Sequence, residues 1–98
     1  MERTLPPGSE YVRTTPTFDN ESVPAGLLRD HRVAAGVWGR LVVHDGTLRL
    51  VFAAVDDQPA EEQVVDVDHP GIIPPERPHQ VMFDGPVTFA VEFHREAH

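Results

Sequence analysis

Cysteine and lysine are both missing from this chain of 98 residues. Without cysteine there is no disulfide framework, no Cys-ligated zinc or iron-sulfur centre and no thiol nucleophile, which leaves histidine and carboxylates as the metal-binding side chains. Without lysine, eight arginines face sixteen acidic residues, for a formal charge of -8. A basic surface for tracking phosphates is therefore excluded, and nucleic acid is disfavoured as a partner. Long apolar runs are missing as well: none approaches the roughly 18–20 residues that span a bilayer, and the opening Met1-Glu2-Arg3-Thr4-Leu5-Pro6-Pro7 has no secretory apolar core. The expectation is a cytoplasmic protein with no membrane contact. Ninety-eight residues set one domain, 1–98, as the ceiling, and a hydrophobic content of 40% suffices for a single core.

What the chain does have is valine. Fourteen valines against six leucines and two isoleucines, punctuated by ten prolines and seven glycines, favour short strands over long helices and predict an all-β domain. Up to Pro24 the prolines allow only a short edge segment, Glu10-Tyr11-Val12-Arg13-Thr14. The stretch from Pro24 to Gly36 carries helix-like punctuation, but Gly26 in its first turn and the adjacent Leu27-Leu28 favour a strand followed by a loop. Val37–Val43 and Thr47–Val55, joined at Asp45-Gly46, read as a hairpin, because Asp-Gly tolerates the positive φ of a tight turn. In the second run Leu48, Leu50, Phe52 and Ala54 share one face, the period of a sheet. Further strands are predicted at Gln63–Val67, Gly71–Ile73, His79–Phe83 and Val87–His94, a spacing that suits a sandwich or small barrel. In the last, Val87, Phe89, Val91 and Phe93 form an apolar face opposite Thr88, Ala90, Glu92 and His94.

Six histidines invite a metal site, because neutral imidazole is the commonest metal ligand, but no His-x-His or His-x-x-x-His pair occurs. His44 abuts a turn, His98 is terminal and His69 sits in the turn-like Asp68-His69-Pro70-Gly71. His79 is the stronger candidate, since Pro74-Pro75-Glu76-Arg77-Pro78 would hold it stiffly. Against this stands a plainer role, a hydrogen bond to a backbone carbonyl at a proline-rich turn. His31, among Arg29, Asp30 and Arg32, suits either a ligand or a surface ion cluster, and Glu92 points either into a polar cavity or to solvent.

Pro24 to His31, Gly36 to Val43, Gly46-Thr47-Leu48, Asp68 to Gly71, Pro74 to His79 and Val91-Glu92-Phe93 together resemble the TehB/YeaR-like domain family, from about Leu5 to Arg95. The resemblance implies a small cupin-like double-stranded β-helix barrel of jelly-roll type, associated in some proteins with a tellurite-resistance methyltransferase. It does not imply a settled activity. Against the wider cupin pattern, Pro74 and His79 keep the spacing of the second motif, whose glycine is Glu76 here and whose asparagine is Phe83. In the first motif His31 takes roughly the place of one histidine, while the second is missing and the glutamate is replaced by Gly39. The resulting expectation is a divalent metal (zinc, iron(II), nickel or manganese) on His31 and His79, with Glu92 as substitute third ligand. Arg40 and Trp38 are expected to line the cavity and receive a small molecule or oxyanion. The alternative is a metal-free, non-catalytic module for stress-related ligands or a partner protein. No catalytic residues are legible, and homodimerisation through an exposed edge or face is plausible on physical grounds.

Overall fold

The structure, a computed structural model, describes residues 5–25, 33–54 and 57–96. These form eight strands and, among the described residues, no helix: β1 (Glu10–Thr14), β2 (Phe18–Asp19), β3 (Val37–Asp45), β4 (Thr47–Phe52), β5 (Glu61–Asp66), β6 (Gly71–Ile73), β7 (His79–Met82) and β8 (Thr88–Arg95). The all-β expectation holds, and β1 and β6 fall on their predicted bounds. The expected strand and loop after Pro24 involve residues 26–32, which lie outside the described residues.

Two antiparallel sheets share the core. One runs β1-β8-β3-β6, with β2 also paired to β8; the other runs β5-β4-β7. Strand alternation fills the space between them: Leu41 and Val43 from β3 and Phe89 and Val91 from β8 meet Leu48, Leu50 and Phe52 from β4, Val65 from β5 and Val81 from β7. Phe89 and Leu50 are fully buried, and truncating such a phenylalanine to alanine costs about 3–5 kcal/mol. The predicted apolar faces of β4 and β8 are therefore the packed ones, except that Ala54 is exposed.

The hairpin reading of β3 and β4 is corrected. The two strands do not pair with each other: β3 lies between β8 and β6, and β4 lies between β5 and β7. A register shift between Val43 and Asp45, followed by the single residue Gly46, carries the chain across a corner from one sheet to the other. Gly46 has φ 89°, and a Cβ there would stand 2.5 Å from the carbonyl oxygen of Pro86. The corner needs glycine for its dihedral and for the close backbone approach.

The expected barrel is corrected as well, because strand pairing among the described residues does not run all the way round. On one flank β5 and β6 come together through a side chain. The Gln63 amide donates from Nε2 to the Ile72 carbonyl (3.1 Å), and its Oε1 accepts from the Ile72 N–H (3.0 Å). Gly71 permits this approach, since a Cβ would meet Val65 Cγ2 at 2.9 Å and Leu50 Cδ2 at 3.1 Å. The opposite flank, between β7 and the β1/β2 edge of β8, has no strand pairing among the described residues.

Candidate functional site

The unpaired flank holds a cavity of about 190 Å³ whose described lining is mostly apolar. Leu41, Ile73, Val81, Val91 and Phe93 supply the walls, and the polar groups are His79, Thr15 and Arg13. For comparison, an engineered apolar cavity of about 150 Å³ accepts benzene. A second, shallower hollow adjoins it through Arg13, Val33 and Phe93, and adds Val12, Val37 and Arg95.

Each polar group is placed by identifiable forces. His79 opens β7 after the proline-rich segment and is 1% exposed. Its Nδ1–H donates to the Arg77 carbonyl (3.1 Å), the plainer role weighed from the sequence. Since a carbonyl only accepts, this contact places a proton on Nδ1. The Arg77 side chain lies over the Phe52 ring at 4.9 Å and donates to the Glu61 carboxylate and the Pro59 carbonyl, tying the start of β7 to the start of β5. Glu76 adopts φ 61°, so the backbone is left-handed at the position where the cupin pattern has glycine. Its N–H donates to the Val33 carbonyl at the cavity rim. The Thr15 hydroxyl donates to the Pro16 carbonyl and accepts from the Val91 N–H, which docks the β1–β2 connection on β8.

Arg13 is held differently. Its guanidinium lies over the Phe93 ring, 4.7 Å from the centroid. Among the described residues Arg40, Arg49 and Arg77 each pair with a carboxylate, and Arg13 and Arg95 do not.

Two of the residues expected to hold a metal, His79 and Glu92, are not brought together. Val91 and Phe93 face the cavity beside His79, so Glu92 between them projects from the other face of the sheet. There its carboxylate accepts from Arg40 (3.2 Å) and from His94 Nε2 (3.0 Å). Glu92 cannot join His79 around one ion. Arg40 and Trp38 share that outer face, which corrects their expected place in the cavity: Arg40 is paired with Glu92, and the Trp38 indole N–H donates to Glu96 (2.8 Å). Tyr11 completes the group, edge-on to His94 at 5.6 Å. His31 lies outside the described residues. Among the described residues no three His, Asp or Glu side chains are grouped to hold a metal ion, and the cavity's described polar residues include a cation but no carboxylate. The described residues alone do not complete the donor set expected from the sequence for zinc, iron(II), nickel or manganese.

The model of the TehB-like domain matches residues 13–91, most of the chain and nearly all of this fold. The chain belongs to the TehB-like domain family. A crystal structure of a protein from E. coli strain K12 superposes on this TehB-like domain with a TM-score of 0.84 and 22% identity, over 98% of this chain and 99% of that one. TehB from Haemophilus influenzae superposes with a TM-score of 0.74 and 18% identity, over 89% of this chain but 32% of the TehB chain. At these identities the likeness establishes the fold. None of the curated proteins compared matches by sequence. No helix among the described residues is long and apolar enough to cross a membrane.

Sequence reasoning missed Arg13, which sits in an edge strand exposed throughout. The one available signal was its position next to Val12 in a chain where every cation is an arginine outnumbered two to one by carboxylates.

Proposed function

We propose that this domain is a binding module which holds a small, largely apolar molecule between its two sheets, within a small jelly-roll of the cupin kind left open on one flank. The observation that carries the reading is the cavity itself. Binding of this kind draws on apolar area removed from water, with a few polar groups fixing orientation, and the described lining has that composition. The reading requires neither a metal nor a catalytic group. That the similar region makes up 32% of Haemophilus influenzae TehB supports an accessory role for such a domain in a larger protein.

The test is protein NMR with three neutral probes, toluene, benzyl alcohol and phenylacetamide. The expected result is that the Val81 and Val91 methyl resonances shift with all three, while those of Val42 and Val64 on the outer faces do not. Filling the space with Val81→Phe should abolish the shifts and preserve the strand signal in circular dichroism. Probes that move only outer-face resonances, or none, overturn the reading.

A further inference from the structure

The cavity reading leaves the ligand's polar end unassigned, and the distribution of charge supplies it. In a chain of net charge -8, free cationic side chains should be scarce, because carboxylates are available to pair with them. Three of the five described arginines are so paired. The two that are not, Arg13 and Arg95, both border the hollow continuous with the cavity, and Arg13 borders the cavity too. Glu10 is the register partner of Arg95 across β1 and β8 but makes no ion pair with it.

Arg13 is also held in place. Its guanidinium carbon lies 4.7 Å from the centroid of the Phe93 ring, a contact made through the face of the group, and a guanidinium held by its face can present its N–H edge to a planar, two-oxygen acceptor. Phe93 itself is part of the cavity wall. An acceptor on the Arg13 edge would therefore sit directly beside the apolar space.

On the strength of the cavity reading, we propose that the ligand is an amphipathic monocarboxylate. Its carboxylate is received by the guanidinium of Arg13, with Arg95 adding positive charge, and its apolar body enters between the sheets. A carboxylate is favoured over phosphate because one arginine fork satisfies it in full, and because a dianion would be costly to bring beside so apolar a wall.

The experiment compares phenylacetate with phenylacetamide, which have the same shape and differ in charge, by titration calorimetry on the full chain at low salt. Phenylacetate is expected to bind at least tenfold more tightly than the amide. Arg13→Gln should remove that preference and leave amide binding unchanged, which also shows that the variant is folded with its cavity intact. Arg95→Gln should weaken phenylacetate binding by about threefold, and Arg49→Gln, on the outer face of the other sheet, should have no effect. Equal binding of acid and amide, or an Arg13→Gln protein that keeps the preference, overturns the carboxylate proposal and leaves the cavity reading standing. If neither compound binds, the cavity reading falls and the proposal with it.

Discussion

The two flanks of this sandwich solve the same problem in opposite ways. Where β5 meets β6, a glutamine amide supplies the donor and acceptor that a neighbouring strand would have supplied, and Gly71 lets the sheets close to van der Waals contact. Where β7 faces the β1/β2 edge there is no such bridge among the described residues, and the space between the sheets is a cavity whose rim carries Arg13. The difference shows that closure here is a local property set by one or two side chains. Strand count does not decide it.

The strongest challenge to that contrast is Gln63→Leu. Leucine has similar volume, so the main loss is both hydrogen bonds to Ile72, whose N–H and C=O would be left without that partner in a buried position. At about 1–3 kcal/mol for each of the two unsatisfied groups, the expected destabilisation is roughly 2–6 kcal/mol, read from the urea midpoint. A change below about 1 kcal/mol would mean that the flank is closed by packing alone. Gln63→Glu refines the test. Only a protonated carboxyl can donate to the Ile72 carbonyl, so burial and this bond raise the folded-state pKa of the introduced group above its unfolded value. The stability it contributes is then fully present below the unfolded value, about 4.3, and is lost as pH rises through the folded-state pKa.

On the open flank the corresponding change is expected to stabilise. Glu76 occupies a left-handed conformation that a residue with a Cβ adopts at a cost of roughly 1–2 kcal/mol, and glycine adopts freely. Glycine also makes the unfolded chain more flexible, which takes back part of the gain. Glu76→Gly should therefore raise stability by about 0.5–1 kcal/mol, retain the N–H bond to Val33 and leave cavity binding unchanged. A destabilised variant would show that the Glu76 side chain has a role beyond filling a turn.

These residues also mark what could be read before folding. Period-two alternation correctly assigned the packed faces of β4 and β8, because a strand buried on one side must keep that period. It carried information about Glu92 too: a side chain between Val91 and Phe93 cannot share their face, and the ligand assignment went against the alternation. Partner choice was not legible. Asp45-Gly46 encodes a backbone able to turn at positive φ, which serves a hairpin and a corner between sheets equally well. Gln63 has the parity of Val65, yet nothing local distinguishes a glutamine that reaches across to β6 from one that meets water. Glu76 stands where the cupin pattern has a glycine, and its φ of 61° is the left-handed conformation that glycine adopts freely.

The smallest expected effect compares two exposed turns, one on each flank. Asp19, at the end of β2, has its carboxyl held below the usual carboxylate range chiefly by the backbone N–H groups of Glu21 and Ser22. Asp66, at the end of β5, is held below that range chiefly by its hydrogen bond with the His69 ring, which lies 2.8 Å away. Both groups are more acidic folded than unfolded, so each contributes stability that is present above the ordinary value of 3.8 and is lost as pH falls through the folded-state pKa. The salt response should separate them. Part of the hold of His69 on Asp66 is charge attraction at an exposed site, which added salt screens, whereas the peptide N–H groups around Asp19 carry no net charge. Carbon-detected NMR titration of the two carboxyls, at low and at 0.5 M salt, should show the Asp66 pKa rising toward its ordinary value while that of Asp19 stays closer to its low-salt position. Equal movement of the two would mean that uncharged hydrogen-bond donors, and not charge attraction from His69, hold both turns.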